Sequence, residues 1–244
     1  MKKLITAALI VLIPIIGSAQ NVFLIEDMIT TKDQSVNALV FNIKGEFDDA
    51  VDHYKDYMKE RYEYKVDKEN KTTYIIEEVD LPHISMRRGD MKTYLVYTDS
   101  MNVMGFSFLL GYDVFLSSEE QPEEMEQFKK LVVDFMDYHY NESYGKMIDD
   151  NNKALDKVKK DLTQNENKIG SLKKKVVTLA KKKDKEKDPT KKVGFDADKQ
   201  LTENEIKMLE EQVTKQRKDI INMEKEIFTL KTELNKVHQE IVDL

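Results

Sequence analysis

Residues 155–179, LDKVKKDLTQNENKIGSLKKKVVTL, and residues 206–244, IKMLEEQVTKQRKDIINMEKEIFTLKTELNKVHQEIVDL, decide the architecture of this chain. In the first, Leu155, Val158, Leu162, Asn165, Ile169, Leu172, Val176 and Leu179 recur at alternating steps of three and four. In the second, Ile206, Leu209, Val213, Gln216, Ile220, Met223, Ile227, Leu230, Leu234, Val237, Ile241 and Leu244 do the same. Eighteen of these 20 positions are apolar, where a 40% apolar composition would supply about eight by chance. The positions between them are mostly Lys, Glu, Asp, Gln and Asn. The pattern predicts two coiled-coil helices.

Residues 181–189, KKKDKEKDP, separate the two runs, with Gly194 beyond. Pro189 stops a helix near Asp188, and Asp198 or Thr202 could cap the next one. Two heptad helices joined by a loop of about a dozen residues, near 181–199, fold back on each other as an antiparallel hairpin. Placing Val176 level with Leu209 sets Ile169 beside Gln216, Asn165 beside Ile220 and Leu155 beside Leu230. Asn165 and Gln216, the two polar core positions, then fall in adjacent layers and specify the alignment. Ile241 and Leu244 return to Tyr144 and Asn141. A parallel homodimer competes with the hairpin, because Val213, Ile220, Ile227 and Ile241 put β-branched residues at the a positions. Hairpins can also bundle through their outer faces, so self-association is open.

Upstream, residues 20–140 read as a small α+β domain. Residues 22–25 and 36–43 are strand-like. Phe47, Ala50, Val51, Tyr54, Met58 and Tyr62 then make one face of a helix. Residues 64–79 read as two short strands around a turn at 68–71, and residues 91–98 as another strand after a loop at 82–90. In residues 104–116, Met104, Phe106, Phe108, Leu110, Tyr112, Val114 and Leu116 alternate without a miss, predicting one long central strand. A second packing helix starts near Ser118, with a capping box to Gln121, or at Pro122 as its first residue. A strand, a helix, four strands and a helix imply a mostly antiparallel sheet with two helices on one face.

Residues 1–19 read as a signal peptide. Lys2 and Lys3 precede an apolar run at 4–16, and Gly17-Ser18-Ala19 offers a cleavage site after Ala19. The run is short for a bilayer span, so no transmembrane segment is expected after cleavage. The chain would cross the inner membrane to the periplasm or cell surface. It has no cysteine, so it can form neither a disulfide framework nor a lipid anchor at cysteine.

The charge is uneven. The whole chain carries −7, and loss of Lys2 and Lys3 makes that −9. Residues 168–199 hold 12 lysines against five acidic residues, which leaves −16 for the remainder. Such an acidic protein is not expected to bind nucleic acid, yet one end of it attracts anions.

Signals for chemistry are absent. His53, His83, His139 and His238 include no two at metal-ligand spacing, and no cofactor motif occurs. Asp49 and His53, four apart, belong to an acidic helix face rather than to a metal site. Arg88-Gly89-Asp90 reads as turn chemistry, and Asp99-Ser100-Met101 and Asn70-Lys71-Thr72 match short glycosylation acceptors. The sequence therefore predicts a non-enzymatic envelope protein without cofactor or metal, acting as an interaction scaffold or adaptor through its arm. Lys173, Lys174, Lys175, Lys181, Lys182, Lys183, Lys185 and Lys187 are the candidate contact to an envelope protein or anionic surface. A holdase chaperone is a second class; exported prongs with basic tips resemble jaw-like periplasmic chaperones in outline. A third is a carrier of small apolar ligands, with a cavity lined by Phe106, Phe108, Leu110 and Phe135.

Overall fold

The computed structural model describes residues 22–31, 34–97, 101–112 and 114–244; the expected signal peptide, with Asp99 and Ser100, lies outside them. The elements run β1 (Leu24–Thr30), β2 (Ser35–Asn42), α1 (Phe47–Tyr62), β3 (Asp67–Lys68), β4 (Thr73–Val79), β5 (Gly89–Tyr97), β6 (Asn102–Leu109), α2 (Pro122–Lys185) and α3 (Pro189–Val242). The strands form one antiparallel sheet in the order β1-β2-β6-β5-β4-β3. The chain is an α+β domain followed by a long helical hairpin, as its periodicities predict.

Strand β2 is buried on both faces, which explains its nearly unbroken apolar run. Leu39, Phe41 and Ile43 point into the main core, while Ala38 and Val40 join Val103 in a small cluster. Helix α1 buries Phe47, Ala50, Val51, Tyr54, Tyr57 and Met58. It ends at Glu63, whose left-handed backbone (φ 60°) lets its own N–H return to the Lys59 carbonyl and the N–H of Tyr64 to the Met58 carbonyl. Helix α2 starts with Pro122 at its first turn and has no side-chain cap, the second of the two expected starts.

Two local expectations need correction. The alternating run at 104–116 is not one strand. β6 stops at Leu109, where Gly111 (φ 101°) and Tyr112 (φ 50°) turn the chain back. Leu110 N–H then donates to Val114 O, and Leu116 N–H to Phe108 O. Period-2 patterning survives because Leu116 returns to the same core as Phe108, and left-handed backbone at two successive residues is incompatible with a strand. Likewise the segment at 82–90 is not all loop. Gly89 and Asp90 already pair with β4 or β6, Gly89 opposite Val79 and Asp90 opposite Leu109.

The hairpin also differs in detail. Its loop is only Glu186, Lys187 and Asp188, because Pro189 opens α3 and the Asp188 side chain accepts from Thr190 N–H at 2.9 Å. Neither Asp198 nor Thr202 is a cap; both lie within α3. The shorter loop slides α3 toward the globular head. Leu155 therefore packs with Met223 and Ile227 rather than Leu230. Leu230, Val237 and Ile241 enter the main core of the head beside Tyr140 and Tyr144. The displacement is about one helical turn, with Asn165 bonded to Gln216 rather than level with Ile220. The end of α3 is thus a third helix on the head, tied by Lys129 Nζ to Leu244 O at 2.7 Å and by Val22 N–H to Glu240 Oε2 at 2.9 Å.

Candidate functional site

Helix α2 is 64 residues long, about 96 Å at 1.5 Å per residue. Its first turns cover the sheet and the rest leaves the head with α3. Cross-hairpin ion pairs flank the apolar seam: Lys159 with Glu224 at 2.9 Å, Arg217 with Glu166 at 2.7 Å and Lys168 with Glu205 at 2.8 Å. Inside the seam, Asn165 Nδ2 donates to Gln216 Oε1 at 3.1 Å. These pairs are exposed or half-exposed, so packing of the seam supplies most of the cohesion.

The tip lysines divide into two sets. Lys173 bonds Glu210 at 2.8 Å and Lys183 bonds Asp196 at 2.7 Å, so both are committed to bracing the hairpin. Lys174, Lys175, Lys181, Lys182, Lys185 and Lys187 are exposed and have no ion-pair partner among the described residues. Lys191 and Lys192, at the start of α3, stand beside the loop and help hold the Glu186 carboxyl below its ordinary range, after the N–H groups of Asp188 and Lys187 that bond it. The candidate set read from the sequence ended at Lys187 and did not include these two, which Pro189 as a first helical residue places in the first turn of α3 beside the loop.

At the root of the arm the structure brings together two histidines that the sequence separates. His139 is fully buried between α2 and the β2–α1 connection. Its Nε2 accepts from Lys44 N–H at 3.2 Å, and its Nδ1 lies 3.0 Å from His53 Nδ1. An accepting Nε2 requires the proton of neutral His139 to sit on Nδ1, so His139 donates and His53 accepts. Burial holds His139 down to about 3, reinforced by the neighbouring His53. Burial also lowers His53, against the opposing pull of Glu142 and Asp49. His53 edges an open groove with Glu142, Lys146, Asp149 and Asp150. Across it Lys146 bonds Asp49 at 3.0 Å. Among the described residues, no group of three or more His, Cys, Asp or Glu side chains could hold a metal ion.

The rings named for an apolar cavity pack against one another. Phe106 lies 5.4 Å from Phe135 and 5.1 Å from Tyr54, and Phe108 lies 5.9 Å from Phe128. Phe106, Phe108 and Phe135 are buried in the core, with Leu110 at its edge. Arg88 bonds Asp80 at 3.2 Å and Asp90 accepts from Glu78 N–H at 2.9 Å, so the Arg-Gly-Asp triplet is held at a strand end. No described helix is long and apolar enough to cross a membrane. Comparison with family models, with curated proteins and with solved structures finds no match to this chain.

Proposed function

We propose that this protein is a non-enzymatic scaffold of the cell envelope that presents a basic tip, on a rigid arm, to an anionic surface. The observation that carries the reading is the set of six exposed, unpaired lysines at the far end of the hairpin. Lys159, Lys168, Lys173 and Lys183 are neutralised across the hairpin, whereas these six, close together at the tip, have no ion-pair partner among the described residues. From the root near Ile148 to the tip the arm extends about 55 Å, far enough to separate the tip from the acidic head. The leader-like residues 1–19 support export, and the filled aromatic core favours a structural head over a carrier. A chaperone reading has no comparable observation behind it.

The test uses the full chain with vesicles of neutral phospholipid or of neutral phospholipid containing anionic phospholipid. Co-sedimentation with the anionic vesicles is expected, weakening as salt rises. Replacing Lys174, Lys175, Lys181, Lys182, Lys185 and Lys187 with Gln should lower binding by more than tenfold with helicity unchanged. Binding equal to that of the native chain would refute a role for the tip.

A further inference from the structure

The outer face of α3, turned away from α2, carries Leu201, Met208, Ile221 and Phe228, which remain 68%, 64%, 65% and 71% exposed. Isolated exposed apolar residues are ordinary on a protein surface. The arrangement of these four is not. With Ile206, Val213, Ile220 and Ile227 at the a positions of the seam, Leu201 and Met208 occupy c and Ile221 and Phe228 occupy b. Positions b and c flank f, directly opposite the a/d seam, so the four share one stripe.

Their spacing is seven, 13 and seven residues, the same in either direction along the helix. The centre of this palindrome falls between Thr214 and Lys215. Glu211 and Lys218, both at f and both exposed, lie equally far from that centre with opposite charge. Neither has an ion-pair partner among the described residues.

We infer that the outer face of α3 is the dimer interface of this protein, taking the same face of a second copy in antiparallel orientation. A two-fold axis at the palindrome centre sets Leu201 level with Phe228 of the second copy and Met208 with Ile221. It sets Glu211 against Lys218, and each of these contacts occurs twice. That is the self-complementarity an isologous interface requires. A parallel pairing of the same stripe would instead face Glu211 with Glu211 and Lys218 with Lys218. The antiparallel register also brings Lys187 of one copy level with Val242 and Asp243 of the other. The stripe lies on α3 and the unpaired lysines named above lie on α2 and the loop, so the inference does not rest on the role of the tip in binding an external surface.

The absence of cysteine allows a direct test in the full chain. Within one molecule, positions 201 and 228 are about 40 Å apart along the helix. Mild oxidation of the double variant Leu201→Cys with Phe228→Cys should give a covalent dimer, while Leu201→Cys alone should stay uncrosslinked. Light scattering should show a native dimer that Met208→Glu with Ile221→Glu weakens at least tenfold, with helicity retained. Glu211→Lys and Lys218→Glu should each weaken it about fivefold and restore it when combined. A monomer at all concentrations up to about 100 μM, crosslinking of Leu201→Cys with itself, or a dimer indifferent to Met208→Glu with Ile221→Glu would overturn the inference.

Discussion

His53 Nδ1 and His139 Nδ1, 86 positions apart in the chain, lie 3.0 Å from each other where α1 crosses α2. With Lys44 N–H donating to the far side of His139, the two rings form a short relay whose protons have defined places. Adding a proton to His139 would aim an N–H at the Lys44 N–H. Adding one to His53 Nδ1 would aim it at the His139 donor.

Acid should therefore loosen the root of the arm. His139 titrates near 6.5 when unfolded and is held at about 3 when folded, so the unfolded chain binds more protons between those values. Stability is then greatest above about pH 6.5 and falls as pH drops toward 3, by at most about 1.4 kcal/mol per pH unit from this group. Asp49, Asp56 and Glu142 oppose the loss by favouring protonated His53, and Lys146 adds to it. Urea denaturation from pH 7.5 to 4 measures the slope. In His139→Phe the slope should flatten, while stability at pH 7 falls by about 1–3 kcal/mol because Lys44 N–H loses its acceptor.

Asn165 and Gln216 satisfy each other inside an otherwise apolar seam. Asn165→Leu should lower stability by about 1–3 kcal/mol, since Gln216 then keeps a half-buried amide without its partner. Asn165→Leu with Gln216→Leu should recover most of that loss and relax the alignment. Spin labels on α2 and α3 would report the outcome as a broadened distance distribution in the double variant.

Gly89 leaves no room for a methyl group, since an added Cβ would collide with the Leu109 carbonyl and the Phe108 ring. Gly89→Ala should cost about 1–3 kcal/mol through overpacking of the β5–β6 pair. Gly145→Ala, at an open position of α2, should be neutral or stabilising by up to about 1 kcal/mol. Thermal unfolding of the two variants separates these outcomes.

Phe106 is surrounded by Phe41, Tyr54 and Phe135 at ring separations of 5.1–5.9 Å. Phe106→Ala should cost about 3–5 kcal/mol and leave a cavity. Xenon or benzene binding to that variant, with none to the native chain, would register the new space.

Local repetition made much of this molecule readable in advance. A three-four spacing of apolar residues is visible within two helical turns, and hairpin geometry follows from two such runs separated by Pro189. The same holds for β2 and α1, whose burial repeats over a few residues. What repetition could not set was any quantity that sums over distance. Helix register depends on where Pro189 begins α3, and heptads offer nearly equivalent alignments one or two turns apart. Pairing of His53 with His139 depends on how α1 lies across α2, which no spacing between them records. Residues 104–116 make the same point from the other side, because alternation persists through a reversal that only the backbone at Gly111 and Tyr112 reveals. Periodicity is written residue by residue, whereas alignment and long-range proximity arise when separately legible elements compete to bury their surfaces together.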